Sequence, residues 1–257
     1  MIQYLLLFLG AICIGVVSAI AGIGGGSLMV PFMVLVLGYD VKTAIATSLI
    51  CITVTSSIAT SVYLREKLVD IDVLLLLEPA SALGAITGAY LTLSLPARIV
   101  KGLLGSLLLY VSISMFKRVF RNYRTDASST KHIASRTKSR LIGVTVSYIA
   151  GLFSGMFGIG GGILKVPIMV FILSLPIKTA VATSAFMVGL TACSGGIVYL
   201  MRGYVDPLSV MALALGIIPG AMIGAKLLKN LKPWIIRLVF SIVLLYASLR
   251  LLYTLIG

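Results

Sequence analysis

The chain has 257 residues, 60% hydrophobic and 11% charged, where a soluble domain carries roughly 25% charged residues. With a mean hydropathy of +1.15, a water-soluble globule is excluded. The net charge of +14 would suggest nucleic acid in a soluble protein, but the basic residues stand in short loops between apolar segments. No aromatic stacking pattern accompanies them beyond Tyr123, so positive-inside bias accounts for the charge and no nucleic-acid partner is expected.

In chain order, a long apolar span over residues 2–20 comes first. It is expected to be retained, because Met1 to Gln3 lack the basic start of a cleavable signal. A glycine run and a short apolar segment, 27–38, follow. Three longer spans cover 43–64, 72–93 and 98–117. Lys117 to Arg140 is a polar linker with Lys117, Arg118, Arg121, Arg124, Lys131, Arg136, Lys138 and Arg140 against Asp126, expected in the cytoplasm beside lipid phosphates. The pattern then repeats: 141–157, a glycine run, 163–175, 178–200, 207–227 and 233–255. This is an all-α, polytopic membrane protein with no room for a soluble catalytic domain.

The repetition extends to the residues. Gly22 to Pro31, GIGGGSLMVP, recurs 136 residues later as GIGGGILKVP, Gly158 to Pro167, with eight of ten positions identical. At the same offset Lys42-Thr43-Ala44-Ile45-Ala46-Thr47-Ser48 matches Lys178-Thr179-Ala180-Val181-Ala182-Thr183-Ser184, and Val69-Asp70 matches Val205-Asp206. A constant offset of this length marks two homologous repeats, 1–116 and 141–257, joined by the 117–140 linker.

The segment after each glycine run has about a dozen residues, ~18 Å of helix, too short to cross unaided. It is expected as a re-entrant or broken helix. An odd number of crossings per repeat inverts the second against the first, and an even number leaves them parallel. With the linker inside, inversion puts Arg65, Lys67, Lys178, Lys226, Lys229, Lys232 and Arg237 in the cytoplasm, and the parallel alternative exports most of them. Loop charge therefore favours inverted repeats.

G-I-G-G-G fits neither a Rossmann fingerprint nor a Walker A loop. Consecutive glycines allow positive φ and close backbone approach; heading a short helix in a membrane, they expose the first-turn N–H groups and the positive end of the dipole to an anion. Close helix packing is the competing account. Candidate substrate ligands are the backbone and side chains of Gly24, Gly25, Gly26 and Ser27, and of Gly160, Gly161 and Gly162, with hydroxyls from Thr47, Ser48, Thr183 and Ser184. Those hydroxyls could equally bond back to their own helices.

Lys165 stands where the first repeat has Met29. A cation among apolar residues is costly enough to imply a role, either attracting the anion or pairing with an acid. Glu78, enclosed by Val73 to Leu77 and followed by Pro79, is the best such acid and a proton-relay candidate. Its competing placement is an interface. Asp70 and Asp206 each precede an apolar span and are expected to cap helices. Lys42 and Lys178 are expected as interfacial anchors. Cys13, Cys51 and Cys193 are odd in number and lack a C-x-x-C pair, so neither a disulfide nor a metal site is expected, nor any other cofactor.

The doubled G-x-G-G-G-x-x-x-V-P motif, each copy followed by K-T-A-x-A-T-S, resembles the TauE/SafE sulfite exporter family of membrane permeases. That resemblance implies secondary transport, without ATP, of small sulfur-containing anions such as sulfite, sulfoacetate, other organosulfonates or thiosulfate across the cytoplasmic membrane. The expected partners are that anion, membrane lipids and a second copy of the chain. The rival readings are a passive anion channel, a membrane enzyme acting through Cys51 or Cys193, and a scaffold. The enzyme lacks a neighbouring base, since the sole histidine, His132, lies in the linker.

Overall fold

The structure, a computed structural model, describes residues 2–21, 25–120, 136–228 and 233–256. Among them it has ten helices and no strand: α1 Ile2–Ala21, α2 Gly26–Leu35, α3 Val41–Arg65, α4 Ile71–Ser94, α5 Ala97–Phe120, α6 Arg136–Phe157, α7 Gly162–Phe171, α8 Ile177–Met201, α9 Pro207–Leu228 and α10 Pro233–Ile256. Each expected segment is a helix, and α5 and α6 run into both ends of the linker. Gly24, the middle of the linker with His132, and Lys229 and Lys232 lie outside the described residues. Five helices contain stretches long and apolar enough to cross a membrane: Val41–Arg65, Ile71–Ser94, Ala97–Ser114, Arg140–Phe157 and Lys178–Met201. This is a multi-pass membrane protein.

Local signals start and stop these helices. Asp40 accepts from the Lys42 N–H at 3.0 Å, and Asp70 accepts from the Val73 N–H at 3.0 Å, capping α3 and α4. Asp206 accepts from the Leu208 N–H at 3.3 Å before α9, which opens on Pro207. The turns duplicate at the 136-residue offset. After α2, Gly38 is left-handed and the Tyr39 N–H reaches the Met33 carbonyl; after α7, Ser174 is left-handed and the Leu175 N–H reaches the Met169 carbonyl. Lys67 and Gly203 are likewise both left-handed at equivalent positions.

The helices associate across the repeats. The most extensive packing pairs α1 with α9, α4 with α6, α5 with α10 and α3 with α8, so each repeat lends its first helix to the fourth helix of the other. α3 and α8 cross antiparallel at the centre: Gly189 lies against Ser56, Gly196 against Leu49 and Ile50, and Ser56 Oγ donates to the Ala185 carbonyl. α5 and α10 are also antiparallel, with Gly105 against Leu252 and Ser112 Oγ donating to the Ser241 carbonyl at 2.8 Å. By contrast α4 runs parallel to α6, and α1 to α9.

Small residues set the spacing of the parallel pairs. A Cβ on Gly84 would fall on the Tyr148 carbonyl oxygen, one on Gly88 on that of Leu152, one on Gly151 on that of Ser81 and one on Gly155 on that of Ala85. Gly216 and Gly220 of α9 sit the same way against Phe8 and Ile12 of α1. Backbones in such contact lose no hydrophobic drive, since lipid is as apolar as Leu, and gain dispersion and weak C–H···O contacts. Hydroxyls reinforce α4 on α6: Ser147 donates to the Leu77 carbonyl and Thr92 to the Met156 carbonyl, each at 3.1 Å. Gly155→Ala is therefore expected to wedge α4 from α6 and cost about 1–3 kcal/mol. Gly105→Ala, whose methyl meets side chains and no backbone, Leu252 at 3.1 Å and Leu251 at 3.4 Å, should cost less. Melting temperatures of the two variants in detergent check this; equal values would remove close backbone packing as the reason for Gly155.

Candidate functional site

The two glycine motifs meet. Gly26, the first residue of α2, packs against the Gly158 carbonyl and the Ile52 side chain, and Gly158 packs against Ile45 and Val30. Gly160 faces Val188 and Ile52, with Val188 Cγ1 3.0 Å from where a Cβ would stand. Ile52 and Val188 are equivalent residues of the two repeats, so an apolar pair lies between the motifs. The motifs differ locally. Gly158, Gly160 and Gly161 are left-handed, with φ of +69°, +82° and +72°, whereas Gly25 caps α2 at φ −62°. In both, the residue before the short helix offers its carbonyl to the first turn: Gly25 to the Leu28 and Met29 N–H groups, Gly161 to those of Leu164 and Lys165. Packing and backbone conformation thus explain glycine at positions 26, 158, 160 and 161, whatever else the motifs bind.

The hydroxyl candidates divide. Ser48 Oγ donates to the Gly158 carbonyl at 2.9 Å, tying the K-T-A-x-A-T-S block of the first repeat to the glycine motif of the second. Thr183 accepts from the Asp70 N–H at 2.9 Å, and so holds the turn before α4. Ser184 is buried. Ser27, 1% exposed, and Thr47, 0% exposed, have hydroxyls without a hydrogen-bond partner among the described residues. Lys42 Nζ donates to the Leu93 carbonyl at 2.9 Å, closing the end of α4 as an anchor rather than a ligand.

Lys165 and Glu78 come together. Lys165 Nζ lies 3.3 Å from Glu78 Oε2, and both residues are buried. Thr191 of α8 completes the group: its hydroxyl donates to Glu78 Oε1 at 2.7 Å and accepts from Lys165 Nζ. Because Thr191 has one proton and gives it to the carboxylate, the Ser81 hydroxyl 2.9 Å away must donate to Thr191. The network joins α4 of the first repeat to α7 and α8 of the second. Lys165 is sealed, but Glu78 forms part of an apolar groove between α4 and α8 lined by Leu74, Leu75, Pro79, Ala82, Leu190 and Cys193. Sequence reasoning missed Thr191 and Ser81. The available signal was spacing, since Thr191 stands two helical turns after Ser184 on the same side of α8. At the equivalent positions of the other repeat the network has no counterpart: Met29 replaces Lys165, Ala214 replaces Glu78, and Thr55 bonds to the Cys51 and Ile52 carbonyls of its own helix.

Residues 7–251 match the family described as Sulfite exporter TauE/SafE. The chain belongs to the TauE/SafE family of membrane transporters. It is 29% identical to the probable membrane transporter protein YunE of Bacillus subtilis (strain 168), over 97% of each chain. It is 28% identical to the probable membrane transporter protein MJ0441 of Methanocaldococcus jannaschii, over 93% of this chain and 91% of that one. With the Sulfite exporter TauE/SafE family protein 6 of Arabidopsis thaliana it shares 24% identity, over 76% of this chain and 67% of the plant protein. No solved structure matches the chain.

In this TauE/SafE protein the ion pair is a buried one, and removing a single partner strands the other charge. Lys165→Met, which copies Met29, should destabilise the fold by about 3–5 kcal/mol. Adding Glu78→Ala, which copies Ala214, should recover most of that loss. A double-mutant cycle on denaturant midpoints measures the coupling; additive losses would show that the pair contributes no mutual stabilisation.

Proposed function

We propose that the protein is a secondary transporter that moves small sulfur-containing oxyanions, such as sulfite, sulfoacetate or other organosulfonates, across the cytoplasmic membrane, coupled to the proton gradient. It acts as a transporter and not as an enzyme, and uses no cofactor. The substrate site lies where the two glycine-headed short helices converge. Its donors are the first-turn N–H groups of α2 and α7, around Gly24 to Ser27 and Gly160 to Ile163, with hydroxyls from Ser27 and Thr47. The observation that carries this reading is the meeting of the two glycine motifs, one from each repeat, each heading a short helix, together with buried hydroxyls that have no partner within the described residues. Irregular backbone is tolerated at membrane depth where it is enclosed by protein, and helix starts favour negative charge. Ser48 and Thr183, bonded elsewhere, act as struts of the site, with Ser184 packed beside them.

The repeats are inverted in this reading. Support comes from direction: the equivalent helices α3 and α8, and α5 and α10, run antiparallel. With the linker in the cytoplasm, α4 starts on the cytoplasmic side and Glu78 lies ~10 Å along it. Glu78 is the proton carrier. The groove between α4 and α8 gives it access that Lys165 lacks, and Lys165 exchanges between Glu78 and the incoming anion. A passive pore is less well supported, because Ile52 and Val188 fill the space between the motifs and the network beside them is closed.

Glu78→Gln keeps the shape and the Thr191 hydrogen bond but cannot titrate. In proteoliposomes it should bind sulfite or sulfoacetate at least as tightly as the parent protein does, because no carboxylate competes for Lys165, and lose the acceleration that an imposed proton gradient gives. Unchanged dependence on the gradient would remove Glu78 from coupling and leave it a structural partner of Lys165.

A further inference from the structure

We propose that Ser154 is a substrate ligand: its hydroxyl, with the first N–H groups of α7, binds an oxygen of the transported oxyanion. This rests on the transport reading above and adds a residue to its site. Ser154 lies in the last turn of α6 and is 0% exposed, and its Oγ has no hydrogen-bond partner among the described residues. Its neighbours on the same helix pair do have partners: Ser147 donates to the Leu77 carbonyl and Thr92 to the Met156 carbonyl. Hydroxyls enclosed in protein are nearly always satisfied, so an orphan points to something bound there.

Its position says what that is. Gly161 is the residue before α7, and a side chain on it would begin 3.4 Å from the Ser154 Cβ and 3.0 Å from the Ala150 carbonyl. The left-handed backbone of Gly160 and Gly161 turns the chain here. The Ser154 side chain therefore abuts the residue that opens a ten-residue helix. Of the first-turn N–H groups, those of Leu164 and Lys165 go to the Gly161 carbonyl, and those of Gly162 and Ile163 have no carbonyl ahead of them in the helix. A buried, unpartnered hydroxyl beside the positive end of a helix suits an acceptor that carries negative charge on oxygen, as sulfite and sulfonates do. The sequence places a second serine likewise: Ser18 stands four residues before Gly22, as Ser154 stands four before Gly158.

The experiment titrates the purified full-length protein with sodium sulfite, sulfate, thiosulfate and sulfoacetate, with chloride as a control, and follows the melting temperature. Stabilisation grows as RT ln(1 + [L]/Kd), so the concentration dependence reports affinity. Ser154→Ala should melt as the parent does without ligand and need roughly tenfold more of the stabilising oxyanion for the same shift, as loss of one hydrogen bond to an anion predicts. Ser147→Ala, which removes a hydroxyl bonded within the protein, should melt lower and keep the parent's concentration dependence. If oxyanions stabilise the parent and Ser154→Ala alike, the Ser154 assignment falls and the transport reading stands. A lower unliganded melting temperature for Ser154→Ala with unchanged affinity would assign the hydroxyl to the fold and overturn the proposal. If no oxyanion stabilises the parent, the transport reading fails and takes the Ser154 assignment with it.

Discussion

A polar group in hydrocarbon must find its partner inside the protein, and this requirement organises the whole structure. Helices satisfy their own backbones, so what brings them together is packing and a few hydroxyls. The carbonyls of Ser81, Ala85, Tyr148 and Leu152 are approached by glycines of the facing helix, close enough that no side chain fits between. The hydroxyls of Ser147, Thr92 and Ser112 go to carbonyls of the neighbouring helix. Against that background the exceptions stand out. Ser27, Thr47, Thr60 and Ser154 carry buried hydroxyls unpartnered within the described residues, and two of the four flank the starts of the short helices.

The same requirement explains the one buried charge pair among the described residues. An ammonium and a carboxylate are costly in the membrane singly, and each depends on the other and on Thr191. Thr191 is fully used, with one proton given to Glu78 and two acceptor positions taken by Lys165 and Ser81. Disturbing any member therefore reaches all of them. Because the group spans α4, α7 and α8, it fastens one repeat to the short helix of the other at a single place.

The two repeats are alike in backbone and differ in chemistry. Backbone features have been kept in both, down to left-handed residues at Gly38 and Ser174 and at Lys67 and Gly203. Chemistry has not. Met29 and Ala214 stand where Lys165 and Glu78 stand, and Gly25 is right-handed where Gly161 is left-handed. The duplicated backbone thus carries its charged network in one repeat pairing only, where α4 of the first repeat meets α7 and α8 of the second.

Composition, span length and the 136-residue offset determined from sequence alone that the chain is helical, membrane-embedded and duplicated. They also located every helix, because hydrocarbon leaves no other option for a run of apolar residues, but they ran the short segments to 38 and 175 where the helices end at Leu35 and Phe171, and they stopped short of the polar ends of α5 and α6. The pairing of Lys165 with Glu78 was legible for the same reason: few ions are present and each must be answered. Sequence could not decide which glycines serve packing, since that depends on which carbonyl of a distant helix lies opposite. Nor could it separate Ser48 and Thr183, whose hydroxyls are spent on Gly158 and Asp70, from Ser27 and Thr47. Thr191, Ser81 and Ser154 look like any other small hydroxyl residues in apolar helices. Only the crossing of α4, α7 and α8, and the fold of α6 against the start of α7, makes the first two a proton-ordered network with the ion pair and leaves the third enclosed beside Gly161 without a partner among the described residues.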